Sequence, residues 1–301
     1  MIPFQSLESV DLHQQTILIT GANSGLGYEA SRFFAKHGAH VILCTRSLEK
    51  GQNARARILA ESPQARISVE LLDLADSTSI IAFAKRIHAH YPLIDVLINN
   101  AGIMAVPYAQ TKDGYESQVG VNHLGHFRLT ALLLDRLSDN ARIVNVSSNA
   151  HRQGKIDVEN FLYEKGGYTP FGAYARSKLC NLCFTESLGQ ALKGAGKSIL
   201  VVSAHPGVAR TGLFDRKNDS RFVQFLIKTF MGLVPSAEDG ARPLIMAALD
   251  PEAVNGNYYG PGKKGNVKLD HPISIVFDPE VRSKLWAISE KLTGVTYSFE
   301  K

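Results

Sequence analysis

A tyrosine and a lysine stand four residues apart in the stretch "YARSK", Tyr174 to Lys178. On a helix that spacing puts both side chains on one face. A phenol has a pKa of about 10 and is a poor base at neutral pH, but a neighbouring ammonium favours its phenolate form. Such a pair can exchange a proton with an oxygen of a bound molecule. Upstream, "NVSS" closes an apolar run with two serines, Ser147 and Ser148. Strand alternation points them in opposite directions, so one of the two hydroxyls is free to orient a carbonyl or an alkoxide. A third signal is the turn "TGANSGLG", residues 20–27, which interrupts an apolar run on one side and a helical pattern on the other. Gly21 allows a tight turn, Gly25 lets backbone approach a pyrophosphate, and Gly27 lets the following helix pack close. The N-terminus of that helix offers unpaired N–H groups to the phosphates. The turn therefore reads as a dinucleotide cradle, with Gly21, Asn23, Ser24, Gly25, Leu26 and Gly27 as its contacts.

The end of the second apolar run, "CTRS", carries no Asp or Glu to bond the ribose 2′-hydroxyl of NAD. Arg46 stands there instead. An arginine accommodates a 2′-phosphate, so NADP is favoured over NAD. Asp73 and Leu74, at the end of the third run, are placed to bond the adenine amino group.

These residues need a scaffold, and the chain alternates short β-rich runs with amphipathic stretches. Strands are expected at 16–20, 40–45, 66–74, 94–100, 141–148 and 198–204, with a short last one near 256–260. Helices are expected at 25–38, 48–61, 77–91, 114–137, 171–192, 221–231, 236–249 and 279–292. Several strands are continuously apolar, which implies a parallel sheet covered on both faces. Right-handed crossovers then give an α/β fold of the Rossmann type, a doubly wound parallel sheet in a single domain. The cofactor core is expected over about 14–205, a substrate lid over 206–235 and a C-terminal segment over 236–301.

Composition narrows the class. The 301 residues are 45% hydrophobic, enough for a sizeable core, and the net charge of +5 is scattered. Without a basic block the sequence argues against nucleic-acid binding, while a mild positive surplus suits an anionic cofactor or an acidic membrane surface. Three cysteines make no disulfide framework. Cys180 and Cys183 form a C-x-x-C, but within a helical pattern, and read as two small core residues. His123 and His126 lack a third ligand, so no metal site is expected. The N-terminus has no signal-peptide pattern and no run is long enough to span a bilayer, which points to a cytoplasmic protein with at most peripheral membrane contact.

Together "TGANSGLG", "NNAG" (99–102), "YARSK" and "HPG" (205–207) resemble the short-chain dehydrogenase/reductase family, in order from about residue 14 to 292. More narrowly, "GAHVILCTRSLEKG", "VNHLGHF" and "FDPEVRSKLWAISEKLTG" resemble the retinol dehydrogenase and WW-domain oxidoreductase branch. The resemblance implies that Tyr174 exchanges the proton with the substrate oxygen and that Lys178 also holds the nicotinamide ribose. It selects Ser148 over Ser147, and it implies that Asn122 holds a water linking Lys178 to solvent. It places Asn100, Ala101 and Gly102 beside the adenosine, and Pro206, Gly207, Val208 and Thr211 over the nicotinamide.

Two segments are expected to shape substrate access: the 25 residues between Ser148 and Tyr174, and an apolar stripe within 211–235 formed by Phe222, Phe225, Leu226, Phe230 and Leu233. They suit a lipophilic alcohol or carbonyl substrate. The expected activity is NADP-dependent hydride transfer; the alternative is a non-enzymatic NADP-binding regulator on the same fold. Substrate identity, direction and homo-oligomer formation are not fixed by these residues.

Overall fold

The computed structural model describes residues 1–207 and 236–299. Among them, eight strands form one sheet in the order β3-β2-β1-β4-β5-β6-β7-β8. The strands are β1 (Thr16–Thr20), β2 (His40–Thr45), β3 (Arg66–Leu71), β4 (Ile94–Asn99), β5 (Leu137–Val146), β6 (Leu200–Ala204), β7 (Tyr258–Pro261) and β8 (Val267–Asp270). Pairing is parallel from β3 through β7, and β8 runs antiparallel to β7. Ile2 lies against the outer flank of β8, exchanging both main-chain bonds with Val267, at 2.7 and 3.0 Å.

Strand alternation sends side chains to two cores. Ile17, Ile19, Val41, Leu43, Val96, Ile98 and Val144 face one side, against α1 (Gly25–Lys36), α2 (Leu48–Glu61) and the later helix α7 (Ala237–Leu249). Leu18, Ile42, Leu97, Ile143 and Val201 face the other, against α3 (Ser77–His90), α5 (Gly125–Leu133) and α6 (Pro170–Gly194). Both faces are covered, which is why these strands are apolar throughout. Phe34 on α1 and Phe83 on α3 are wholly buried, each contributing about 1.5–3 kcal/mol. A third cluster joins α6 to α8 (Pro279–Thr293) and to Phe161 and Leu162, and holds Cys180 and Cys183 as free, buried thiols.

The strand order reverses between β1 and β4, and in such sheets that crevice receives the ligand. Three expectations are corrected. The stretch 114–137 is not one helix: a short turn α4 (Ser117–Val119) passes into a π-helical segment, Gly120–Leu124, before α5, and a 3₁₀ turn follows at Leu134–Arg136. β3 stops at Leu71, so Asp73 and Leu74 lie in the following loop. β5 stops at Val146, so Ser148 is not on a strand; it caps a 3₁₀ turn, Asn149–Gln153. β8 was not anticipated at all. The expected helix at 221–231, and with it Phe222, Phe225, Leu226, Phe230 and Leu233, falls outside the described residues, as do Val208 and Thr211.

Candidate active site

Gly21 and Gly25 hold φ of +67° and +56°, a region that side chains with a Cβ disfavour. Helix α1 starts at Gly25. Its N-cap, Ser24, makes no side-chain capping bond, and the first turn carries no acidic residue. The first N–H groups of α1 thus receive no capping side chain or acidic neighbour from the first turn, and their positive character is uncompensated there. Gly27 is required for packing: a Cβ there would stand 2.5 Å from the Asn100 amide nitrogen and 2.6 Å from the Gly21 carbonyl. Asn100 donates from Nδ2 to Thr20 O at 2.7 Å, and the Asn100 and Ala101 N–H groups both donate to Thr20 Oγ1 at 2.9 Å. The loop after β4 is thereby fastened to the glycine turn after β1. Asn23 is half-buried in that turn and Leu26 is buried beneath it. A cradle bounded by two left-handed glycines and a bare helix N-terminus fits a pyrophosphate.

Arg46 is exposed just past β2, with no hydrogen bond or ion pair among the described residues. Asp73 accepts from the Ala75 N–H at 3.0 Å, and Leu74 is buried. Gly207, φ +67°, follows β6 and donates its N–H to His205 Nδ1 at 3.1 Å, with Pro206 between them.

On the other side of the crevice α6 presents Tyr174 and Lys178, 7% and 4% exposed. Thr169 caps this helix through the Gly172 N–H, and Pro170 occupies its first position. Lys178 Nζ lies 5.7 Å from the Tyr174 ring centre and donates to Val146 O at 3.0 Å. Burial lowers the Lys178 pKa to about 8. Burial raises that of Tyr174, and the Ser148 hydroxyl beside it works in the opposite direction. Ser147 is turned away and donates to Lys178 O at 2.8 Å. Asn122 sits on the π-helical segment and holds Ile103 from both sides, accepting from its N–H at 2.8 Å and donating to its carbonyl at 2.9 Å. A Cβ on Gly102 would come within 3.1 Å of Asn122 Oδ1 and 3.6 Å of Lys178 Nζ, so Gly102 is where the cradle and the Tyr–Lys face meet.

The sequence marks Asn99 within a segment that supports the central sheet, but it left unread the polar partners that do so. Asn99 donates to Asn145 Oδ1 and to Thr130 Oγ1, and Asn145 donates to Thr185 Oγ1, all within 2.8–3.0 Å in the sheet centre. The signal was present: two asparagines inside apolar strands need buried partners. Arg176 is also hidden. It donates to the carbonyls of Lys155, Asn160 and Phe161, and so ties down the loop between Ser148 and Tyr174. Among the described residues no three His, Cys, Asp or Glu side chains cluster as metal ligands, and no helix is long and apolar enough to cross a membrane.

The short chain dehydrogenase family model matches residues 15–221. The chain belongs to that family. It is 38% identical to retinol dehydrogenase 12 of Mus musculus over 293 residues, covering 96% of this chain and 89% of that one. It matches the crystal structure of an uncharacterized protein from Mycobacterium Paratuberculosis with a TM-score of 0.80 and 38% identity, over 97% of this chain and 98% of the other. A short chain dehydrogenase from Shigella flexneri 2a str. 301, complexed with NADP, matches with a TM-score of 0.65 and 26% identity, over 84% of this chain and 99% of that one. This dehydrogenase is therefore an oxidoreductase acting on CH–OH groups, of the retinol dehydrogenase branch, on a Rossmann-type sheet.

Proposed function

We propose that the protein is an NADP-dependent dehydrogenase or reductase for a lipophilic alcohol/carbonyl pair, with Tyr174, Lys178, Ser148 and Asn122 as its working set. The observation that carries this reading is the meeting at Gly102, where the glycine cradle adjoins the face that bears Tyr174 and Lys178. A bound nicotinamide dinucleotide supplies or accepts the hydride. Tyr174 Oη holds the proton that the substrate oxygen gains or loses. Ser148 Oγ gives its single proton either to the phenolate or, with substrate bound, to the same oxygen. Lys178, still largely an ammonium at neutral pH, favours the ionised phenol and reaches the ribose. Asn122 fixes the Ile103 backbone that walls the crevice. Arg46 is the 2′-phosphate ligand. The NADP complex of the Shigella flexneri relative supports that cofactor.

Two features support an apolar substrate. Phe171, one helical turn before Tyr174, leaves 45% of its surface exposed with its ring centre 6.3 Å from the tyrosine ring. Tyr108 is equally exposed and stacks edge-on against Tyr168, at 5.2 Å. The retinol dehydrogenases it resembles point the same way by name.

The test is NADPH oxidation, followed by absorbance, across straight-chain aldehydes of increasing length. Each added methylene contributes about 0.8 kcal/mol when buried, so kcat/KM should climb severalfold per carbon until the pocket is full. Tyr174→Phe should cut turnover by roughly 10²–10⁴ while NADPH affinity holds. Full turnover in that variant would overturn the assignment of Tyr174; a flat length dependence would overturn the lipophilic substrate.

A further inference from the structure

Ser148 is not held by a strand, so something else must fix its hydroxyl against Tyr174. Its Oγ accepts from the Ala150 N–H at 3.2 Å, which leaves the hydroxyl proton free to point at the phenol. Its carbonyl accepts twice from one residue: from the His151 N–H at 3.0 Å and from His151 Nδ1 at 2.7 Å. A carbonyl can only accept, so Nδ1 carries the proton. In the neutral ring Nε2 is then a bare acceptor. It is buried and has no hydrogen-bond partner.

That orphan nitrogen is informative. His151 is wholly buried, and its ring meets Tyr258 edge-on at 5.6 Å. An apolar side chain would fill the same space without burying an unpaired polar atom, which costs free energy. What the imidazole adds is the Nδ1–H on Ser148. The turn has one further anchor. Gly154 N–H donates to His151 O at 3.0 Å, and a Cβ on Gly154 would stand 2.5 Å from the carbonyl of Ala175, the residue after Tyr174. The 3₁₀ turn is therefore docked on α6 beside Tyr174, and His151 bonds the carbonyl of its capping residue, Ser148.

We propose that His151 is a positioning residue, which sets the Ser148 hydroxyl against Tyr174 and through it the ionisation of the phenol. This rests on the reading of Tyr174 and Ser148 given above. Charged and titratable groups around the two sites are few. Arg152, Asp270 and His205 face His151 electrostatically, with Tyr258 against its ring. Tyr174 is faced by Ser148, by Lys178 near its ring, and by Tyr258. Burial keeps His151 on the neutral side of its ordinary range, consistent with the single proton assigned to Nδ1.

Alcohol oxidation needs the phenolate. If Ser148 loses its orientation, the stabilising bond weakens, the Tyr174 pKa rises and the base limb of kcat moves to higher pH. An asparagine places its side-chain N–H where Nδ1 lies, whereas a glutamine places it one bond further out. The experiment therefore compares His151→Asn, His151→Gln, His151→Leu and Ser148→Ala. It measures kcat against pH with NADP and the best straight-chain alcohol, together with KM, NADP affinity and thermal midpoint. The expected result is a base limb shifted upward in Ser148→Ala, His151→Gln and His151→Leu, and restored in His151→Asn, with NADP affinity unchanged throughout. If Leu fails to fold, the Gln and Asn pair still decides. A shifted limb in Ser148→Ala with a wild-type limb in His151→Gln overturns the role of His151 alone. An unshifted limb in Ser148→Ala overturns the reading of Ser148 and the inference with it. Equal loss in Asn and Gln with no shift of the limb makes His151 merely structural and also overturns the proposal.

Discussion

Arg46 shows what one residue type at one position can decide. It stands exposed just past the end of β2, where the adenosine ribose of a dinucleotide in the cradle would lie, and no carboxylate pairs with it among the described residues. Charge-assisted hydrogen bonds contribute about 1.5–3 kcal/mol, so Arg46→Ala should weaken NADPH by roughly ten- to a hundredfold and leave NADH nearly unchanged. Equal loss for both cofactors in a fluorescence titration would remove Arg46 from the phosphate. Residues of this kind were legible because their signal is local: a glycine pattern, a missing acid, a Tyr and Lys one turn apart. His151 and Arg176 were not. Each acts by bonding the main chain of a loop, at Ser148 and at Lys155, Asn160 and Phe161, and a main-chain acceptor leaves no mark in the sequence. The expected help from Lys178 also met a limit that spacing cannot show. Four residues of separation share a face, but burial raises the phenol and lowers the amine together.

At the scale of elements, well-patterned helices fell where expected, and α2 matched to the residue. The break in 114–137 was hidden because its apolar residues keep helical spacing through the π-helical segment; only Gly120 and Gly125 mark it. Both are crowded, with a Cβ at Gly125 standing 2.7 Å from the Leu74 carbonyl. β8 escaped because four residues, "VKLD", with one buried side chain make no periodicity. Helix α3 carries its own test. Asp76 caps it, accepting from the Thr78 and Ser79 N–H groups at 2.9 and 3.3 Å, and pairs with Lys112 at 2.5 Å. Asp76→Ala should cost about 0.5–2 kcal/mol in urea unfolding. Lys112 and the neighbouring donors hold the Asp76 carboxyl well below its usual range. The stabilisation is therefore fully present above the unfolded pKa of about 4, and is lost as pH falls toward the lower folded value. The difference between wild type and Asp76→Ala should shrink in acid; a difference that grows there would contradict the cap.

Across the whole molecule, the cradle draws on the ends of β1, β2 and β4, so a dinucleotide held there would tie the middle of the sheet together. A ligand at 100 times its dissociation constant adds about 2.7 kcal/mol to folding stability. NADP should raise the thermal midpoint by about 4 °C at that saturation, above the effect of equal NAD. Arg46→Ala should erase the difference. A larger rise with NAD in the wild type would reverse the cofactor assignment.

The bridge between Ile2 and Val267 has a consequence of another kind. β8 is a border strand, and the unpaired N–H and C=O groups of a border strand are a template on which a second molecule can build. Here Ile2 takes both main-chain groups of Val267, and Lys268 sets a half-exposed ammonium on the same short strand. At the opposite border β3 carries the exposed Arg66 and the Glu70 paired with Arg86. Charge at both borders, and two main-chain bonds from the second residue of the chain, act against the sheet recruiting a ninth strand from a neighbour. Loss of the first few residues by proteolysis would reopen the outer flank of β8 to self-association.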